Sequence, residues 1–462
     1  MFQPKKIALA VGFACIAAGP VLAADDISEL KAQMKALAAQ NAALTAKLDD
    51  MQKQLKTLDS NVGAVPKTFK VVTAGDEDGT FKLPGSDTSV GIYGYARLDA
   101  YVDLKGRQAG DWAADIGSQP LNGIGDTRKG KTNLTARQSR FGIKTITPTE
   151  MGTLRTMIEG DFVQNRAGGF TDADYTAMVS SGYQLRLRHA YGEIDGDWGK
   201  LLGGQTWSTF MSDALPETID FNGHGSAAFM RQAQIRYTAK LGVAGDLAFA
   251  FENPYGTADG LNPAQTIDNI DKRPDFIMNW KKSFERGFVT AQFLNSEYRI
   301  DNGAGIKTSK QGWGFGLGGA WKVTDNDNLM LQVTVGEGIG RYIPTTSYHI
   351  AVIDANNKIQ LYRSSSWVAG WAHNWSETVR SNLAYGQTLI QDNYLNNLAT
   401  VGLDSRRMSE GFANVIWGIA KNTELGLEYS WGTRKTYADQ GNGGIVYTGS
   451  RSRIQGSLQY NF

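Results

Sequence analysis

The 462-residue sequence is poor in cysteine, in proline, in long hydrophobic runs and in net charge. Its single cysteine is Cys15, so the rest of the chain has no disulfide, no Cys-ligated metal site and no thiol nucleophile. After residue 24 no run approaches the roughly 18 consecutive apolar residues of a transmembrane helix, which excludes a helical membrane bundle. The formal charge of +1, from 47 basic and 46 acidic residues, gives no electrostatic footprint for nucleic acid.

Glycine and aromatic residues are abundant instead. Glycine accounts for 54 residues, about 12% of the chain against an average near 7%, and aromatic residues make up 10%. Only 41% of the residues are hydrophobic. This combination is typical of many short amphipathic strands.

The first residues have the three parts of a secretory signal. Lys5 and Lys6 precede an apolar stretch from Ile7 to Ala18, and Val21-Leu22-Ala23 offers a small-residue cleavage site. We therefore expect residues 1–23 to be a signal peptide that is removed from the mature protein.

Residues 24–62 carry a heptad pattern. Its apolar positions alternate three and four residues apart: Ile27, Leu30, Met34, Leu37, Leu44, Leu48, Met51, Leu55, Leu58 and Val62. Asn41 fills the one gap, at a position where a buried amide often fixes register and chain number. The pattern predicts a coiled-coil oligomerisation segment, with one amphipathic helix packed on its own chain as the alternative. Residues 63–88 are interpreted as a linker.

From residue 89 onward, apolar and polar residues alternate with a period of two. In the last segment, Ile454, Leu458 and Phe462 fall on one face, and arginine, glutamine and asparagine fall on the other. Many other segments place a charged residue between two large apolar ones. A soluble sandwich would bury its apolar faces without mid-strand arginine, whereas a transmembrane barrel turns them to lipid and keeps a wet interior.

The sequence therefore predicts an all-β transmembrane barrel of about 16 antiparallel strands over residues 89–462, with an N-terminal α-helical coiled coil. Connections alternate between short and long along this region. Short periplasmic turns and long external loops are the usual asymmetry of such barrels, which places the coiled coil in the periplasm.

The connection at residues 208–229 has an unusual composition for an external loop. It holds Asp213, Glu217 and Asp220 together with several large apolar residues. We expect it to fold inward and narrow the pore. An ordinary surface or subunit-contact loop is the alternative.

The inward face predicted from strand parity carries more cations than anions. The cations are Arg97, Arg140, Lys144, Arg155, Arg186, Arg188, Arg236, Arg380, Arg451 and Arg453, and the anions are Asp99, Glu159, Asp161, Glu252 and Glu428. A cationic wall concentrates anions in a narrow channel, and arginine suits carboxylate binding. Internal salt bridges that brace the wall are the alternative, and both can hold together.

Motifs for chemistry are weak. Residues 125–132 satisfy the P-loop pattern GxxxxGKT, but no strand precedes them and no helix follows. The four histidines show no metal-ligand spacing, and no serine or histidine has an identifiable third partner. We therefore expect no enzyme activity, no cofactor and no metal.

The opening of the barrel region, Phe81-Lys-Leu-Pro-Gly-Ser-Asp-Thr-Ser-Val-Gly-Ile-Tyr-Gly-Tyr-Ala-Arg-Leu-Asp-Ala-Tyr101, resembles the DcaP-like outer-membrane porins. The segments Ser139-Arg-Phe-Gly-Ile-Lys144 and Gly426-Leu-Glu-Tyr-Ser-Trp-Gly432 are similar to barrel motifs of that family. The resemblance implies a homotrimer of sixteen-stranded barrels in the outer membrane of a Gram-negative bacterium, passing dicarboxylates and similar small anions.

Two other functions stay open, a non-selective general porin and a structural barrel that tethers the envelope. The partners expected from porins generally are outer-membrane lipid and the barrel-assembly machinery. Phe462, which ends the last strand, is the expected assembly signal.

Overall fold

The computed structural model describes residues 24–62, 72–106, 116–123 without 118, 130–164, 183–254 without 222, 259–260, 270–391 without 302, 304, 306, 347–349 and 355, 405–439 and 443–462. The expected signal peptide, residues 1–23, lies outside them. The chain divides into two compact units, residues 1–71 and 72–462.

The first unit contains one helix, α1 (Ala24–Val62). Alanine, leucine, lysine and glutamine dominate its sequence, and all four favour helix. The large apolar side chains from Met34 to Leu55 are 57–66% exposed in the single chain. Asn41 is exposed among them, and its carbonyl accepts a hydrogen bond from Thr45 Oγ1 at 2.8 Å. No helix in the described part of the chain is long and apolar enough to cross a membrane.

The second unit is a closed antiparallel barrel of sixteen strands, counted over the described residues. The strands are β1 (Ser89–Lys105), β2 (Thr132–Thr135 and Arg140–Thr149), β3 (Gly152–Gln164), β4 (Gln184–Gly196), β5 (Gly199–Trp207), β6 (Arg231–Lys240), β7 (Asp246–Glu252), β8 (Asp275–Phe284), β9 (Gly287–Asp301), β10 (Lys307–Lys322), β11 (Asp327–Glu337), β12 (Arg363–Asn374), β13 (Val379–Gln391), β14 (Ser405–Ala420), β15 (Thr423–Asp439) and β16 (Ile445–Asn461). Each strand pairs with the next, and β16 pairs with β1, which closes the barrel. The predicted fold class is confirmed.

Alternation along the strands gives the barrel an apolar outside. Ile158 on β3 is 64% exposed and Ile235 on β6 is 65% exposed, whereas their neighbours Glu159 and Gln234 are buried. A wall with this pattern turns its apolar side to lipid and its polar side to the interior.

The two ends of the barrel differ. Consecutive strands are joined at one end by turns such as the two residues between β4 and β5, and the same end holds both Ser89 and Phe462. The exposed aromatic residues Trp198, Trp321, Trp375 and Trp417 lie near these turns. Aromatic girdles mark the two membrane–water interfaces of outer-membrane barrels. The connection between β5 and β6, residues 208–229, starts from the opposite end.

Part of the expected linker at residues 63–88 is a β-hairpin. Strands Thr73–Ala74 and Thr80–Lys82 pair with each other. Thr80–Lys82 also pairs with the start of β1, on the edge that β16 leaves free. Residues 72–88 thus belong to the barrel unit rather than to a free linker. Strand β16 pairs with β1 only from Tyr95 onward, and Thr80–Lys82 pairs with the first residues of β1 instead.

Two further short strand segments, Ala351–Ile353 and Ile359–Leu361, pair with each other in the connection between β11 and β12, and Ala351–Ile353 also pairs with Asp259–Gly260. Short 3₁₀ helices cover Gly242–Ala244, Gly340–Tyr342 and Pro344–Thr346.

Candidate functional site

The connection between β5 and β6, residues 208–229, lies against the inner wall of the barrel. Thr209 N donates a hydrogen bond to Glu252 on β7 at 2.6 Å, and Gln332 on β11 donates to the carbonyl of Ser212 at 2.8 Å. Further round the wall, Arg97 on β1 donates to the carbonyl of Ile219 at 2.6 Å. We call residues 208–229 the inner loop, since its contacts extend from β7 round to β1.

The three acidic residues of the inner loop each meet a cation of the wall. Asp213 lies 2.8 Å from Lys281 on β8, and Glu217 lies 2.8 Å from Arg380 on β13. Asp220 is buried and lies 3.7 Å from Arg453 on β16. These carboxylates are therefore anchors of the loop, and their charges are compensated by the wall.

One side of the interior is apolar. Ala250, Ile277 and Leu294 point inward from β7, β8 and β9 and pack against Phe210 of the inner loop and Tyr342 of the 3₁₀ helix Gly340–Tyr342. The connection between β11 and β12 thus also folds inside. Sequence reasoning missed this second inward segment, although the apolar runs at 350–353 and 359–362 were a signal for it.

The other side is charged. On β4, Arg186 lies 2.7 Å from Asp161 of β3, and Arg188 lies 2.7 Å from Glu159 and 2.9 Å from Asp161. Both guanidinium groups also face the ring of Phe221 of the inner loop, at 5.1 and 5.8 Å. The predicted arginines are brought together, but each is paired with a carboxylate.

Two more arginines extend this group. Arg140 on β2 lies 3.5 Å from Glu159 and 5.2 Å from the ring of Tyr95. Arg231, the first residue of β6, lies 4.2 Å above the ring of Trp207, and Arg188 faces the same ring at 6.0 Å. In the described part of the chain Arg231 forms no ion pair, and its buried Nη1 has no hydrogen-bond partner.

We call Arg140, Arg186, Arg188, Arg231, Glu159 and Asp161 the arginine cluster. Its formal charge is 4 − 2 = +2. Sequence reasoning did not single out Arg231. It is paired in register with Trp207, the last residue of β5, and so lies beside the start and end of the inner loop.

A cavity of about 180 Å³ separates this wall from the inner loop. Residues of the wall and of the inner loop line this cavity, among them Tyr95, Arg97, Arg140, Arg188, Asp220 and Phe221. Three arginines, aromatic groups and the carboxylate of Asp220 therefore face one water-accessible space. The arginines outnumber this single acid, so the combination suits a small anion with an apolar body.

Two of the arginines expected to line the pore also brace the wall. Arg97 binds Asp99 at 2.7 Å, and Arg453, which is 1% exposed, binds Asp103 at 2.7 Å and stacks 3.7 Å from the ring of Tyr101. Arg453 is thus enclosed between the β16–β1 seam and Asp220 of the inner loop. The reason is the acidic partner on the neighbouring strand, which strand parity does not reveal.

The remaining predicted cations lie toward the short-turn end. Lys144 and Arg155 both contact Glu77 of the N-terminal hairpin, at 3.2 and 3.3 Å. Arg236 on β6 is half-buried and has no ion pair within the described ranges. The described residues also contain no group of three or more His, Cys, Asp or Glu side chains able to hold a metal ion.

Comparison with known families decides the relationship. A family model described as DcaP outer membrane protein matches residues 27–462. The chain belongs to this family. The crystal structure of the outer membrane channel DcaP of Acinetobacter baumannii is 26% identical, covers 84% of this chain and 100% of its own, and superposes with a TM-score of 0.69. A comparison with curated proteins gives no match.

The barrel is also shared with a more distant protein. The Salmonella typhi OmpF complex with daunomycin is 13% identical, covers 81% of this chain and 98% of its own, and has a TM-score of 0.50, so it shows the fold alone. The family and the closed barrel with an apolar exterior make this chain an outer-membrane channel of the porin type.

Proposed function

We propose that the chain is an anion-preferring diffusion porin for small dicarboxylates. The observation that carries the proposal is the charge of +2 in the arginine cluster beside the cavity under the inner loop. Fixed charge of one sign in a narrow, low-dielectric channel raises the local concentration of the opposite ion. Two guanidinium groups within one cavity give a dicarboxylate two partners in turn.

The pairing within the cluster supports passage rather than capture. Arg186 and Arg188 are already engaged by Asp161 and Glu159, so an entering carboxylate gains only part of their attraction. Conduction requires release as well as binding, and a compensated site keeps each contact weak. Arg231, which has no carboxylate partner in the described structure, supplies the uncompensated charge.

A non-selective porin is the second candidate. The observation in its favour is the pairing of Arg97, Arg380 and Arg453 with acidic residues. The acids of the inner loop form their ion pairs with other cations, however: Asp213, Glu217 and Asp220 pair with Lys281, Arg380 and Arg453, although Asp220 lines the same cavity as the cluster. The cluster therefore keeps its excess charge, and we favour anion preference over a neutral pore.

We infer that the working unit is a homotrimer whose α1 helices form a coiled coil on the periplasmic side. The exposed apolar stripe of α1 supports self-association, since a single chain leaves it in water. Both Ser89 and Phe462 lie at the short-turn end, the end that usually faces the periplasm.

Reversal potentials of single channels in a potassium chloride gradient test the proposal. Arg231→Gln removes a cation without leaving a carboxylate unpaired, so its effect reports the cluster's charge. A unit charge about 4 Å away in water is worth about 1 kcal/mol, a factor of roughly five, so the anion-to-cation permeability ratio should fall by a comparable factor. Arg231→Lys should retain most of the preference.

Arg286→Gln is the matched control. Arg286 lies in the exposed turn between β8 and β9, 3.7 Å from Asp325, and should leave the reversal potential unchanged. A wild-type channel without anion preference, or equal shifts in Arg231→Gln and Arg286→Gln, would contradict the proposal and favour the non-selective porin.

A further inference from the structure

The N-terminal hairpin inserts a carboxylate between two cations of the barrel wall. Glu77, between strands Thr73–Ala74 and Thr80–Lys82, places Oε2 3.2 Å from Lys144 Nζ on β2 and Oε1 3.3 Å from Arg155 Nη2 on β3. Both cations lie on the inward face, because their strands turn Ile143 and Ile158 outward. The hairpin thus occupies a two-cation site with one carboxylate.

This pair lies below the arginine cluster on the same wall. Lys144 follows Arg140 by four residues on β2, which separates the two by about 13 Å along the strand. In the arginine cluster the compensating acids, Glu159 and Asp161, are fixed in a barrel strand. At the lower pair the carboxylate comes from a hairpin turn outside the barrel strands, so a solute can exchange its own carboxylate for it.

The packing around the hairpin is compatible with such an exchange. Side chains of Glu77, Lys144 and Arg155 are 41%, 33% and 43% exposed, so solvent reaches all three. The hydrogen bond from Lys144, together with the charge of Arg155, lowers the pKa of the Glu77 carboxyl below its ordinary value and keeps it ionised at neutral pH. Ion pairs this exposed contribute only about 0.2–1 kcal/mol, little enough for a competing anion to displace.

The residues around Glu77, Lys144 and Arg155 leave space for this site and hold the hairpin in place. Gly91 on β1 leaves space for it, since an added Cβ there would lie 2.9 Å from Lys144 Cε and 3.1 Å from Thr80 Cγ2. Within the hairpin, Lys82 lies 2.9 Å from Asp76. Ser89, the first residue of β1, donates to Asp76 at 2.9 Å and so connects the hairpin to the barrel. Glu193 on β4 lies opposite Arg155 of β3 in the strand register, but the two side chains form no ion pair.

We propose that Lys144 and Arg155 form a second carboxylate-binding site at the short-turn end of the channel, and that Glu77 is its tethered competitor. A carboxylate leaving the arginine cluster displaces Glu77, binds the two cations and is released when Glu77 returns. No covalent step is involved. The proposal adds a site to the proposed anion pathway and rests on that pathway only for the direction of solute flow.

The test compares Glu77→Gln with Asp78→Asn in the full-length protein in planar bilayers. Both changes remove one negative charge from the same turn, but Asp78 is exposed and has no ion pair within the described residues. The probes are the reversal potential in a potassium chloride gradient and the block of chloride current by added succinate. Folded barrel is verified first by its heat-modifiable migration on gels.

Glu77→Gln should raise the anion-to-cation permeability ratio and lower the succinate concentration for half-maximal block by roughly twofold to fivefold, the range of an exposed ion pair. Asp78→Asn should change neither. Adding Lys144→Met to Glu77→Gln should abolish the gain in succinate block. If Glu77→Gln does not fold, Glu77→Asp, which withdraws the carboxylate by one methylene, should give a smaller gain of the same sign.

Equal behaviour of Glu77→Gln and Asp78→Asn would overturn the second site, as would a gain that survives Lys144→Met. These outcomes are separate from failure of the proposed function. A wild-type channel without anion preference contradicts the proposed function, while the difference between the two variants still decides whether the site exists.

Discussion

The carboxylate of Glu428 on β15 accepts a hydrogen bond from the backbone N–H of Ile219 at 2.7 Å. Its second oxygen accepts the N–H of Asp220 at 2.9 Å. One buried side chain thus accepts hydrogen bonds from two consecutive backbone amides of the inner loop. Asn414 on β14 donates to the same carboxylate at 2.9 Å and to the carbonyl of Glu217 at 2.9 Å, so the loop is held through both donors and acceptors.

Glu428→Ala should release the inner loop while leaving the barrel intact. A hydrogen bond within a protein contributes about 0.5–1.5 kcal/mol, and the two amides left without an acceptor add a desolvation cost, so the loss of both bonds weakens loop docking. Single-channel conductance should rise and become noisy, whereas Glu285→Gln, in an exposed turn, should behave as the wild type. A quiet conductance equal to that of the wild type would show that the loop is held elsewhere.

Arg453→Ala should destabilise the barrel more than it alters selectivity. The substitution leaves Asp103 buried and unpaired and removes the stacking on Tyr101 at the seam between β16 and β1. Loss of one partner of a buried ion pair costs about 3–5 kcal/mol. Denaturant unfolding of the detergent-solubilised barrel measures this loss.

The double variant Arg453→Ala/Asp103→Ala is the control for Arg453. It removes both charges, so it should recover part of the stability lost in the single variant. A large change in reversal potential without loss of stability would instead make Arg453 a pore residue, as its strand parity first indicated.

The barrel was predictable because strand parity is a local property. Alternation of residues such as Ile158 and Glu159 fixes which face meets lipid, and short turns fix which strands are neighbours. The ion pairs of the interior were not predictable from the sequence, because Arg453 and Asp103 are 350 residues apart and meet only when the barrel closes. Glu77 escaped prediction for a related reason, since it lies in a hairpin outside the regular wall. Arg231 escaped it because its place beside Trp207 and Arg188 depends on the neighbouring strands.

Phe462→Ala should reduce membrane insertion without weakening the folded barrel. Phe462 N donates to the carbonyl of Gly94 at 3.0 Å and its own carbonyl accepts from Gly94 N at 3.2 Å, and these backbone bonds survive the substitution. The ring itself is 62% exposed, so it adds little to the fold. Tyr460→Ala is the matched control, because Tyr460 is 53% exposed on the same face of β16.

Insertion yield in cells and unfolding in detergent separate the two roles of Phe462. An assembly signal predicts a lower yield for Phe462→Ala than for Tyr460→Ala, with equal unfolding midpoints. Equal yields of the two variants would reduce Phe462 to a residue of the aromatic girdle.

Disruption of the apolar stripe on α1 should weaken the proposed trimer and spare the barrel. Leu44 and Leu48 are 58% and 57% exposed in the single chain, and a coiled coil would bury both at its seam. Leu44→Ser/Leu48→Ser removes two seam residues. The control Ala43→Ser/Lys47→Ser introduces two serines at the same spacing, one residue earlier and off the seam. Native mass spectrometry should show that the trimer of Leu44→Ser/Leu48→Ser dissociates at a lower detergent concentration than the wild type, whereas the control variant does not. Because the barrel closes through the pairing of β16 with β1, deletion of residues 27–62 should lower the stability of the proposed trimer without preventing strand closure. A wild-type protein that is monomeric under gentle extraction would remove the basis for the coiled coil, and the exposed stripe would then require another partner.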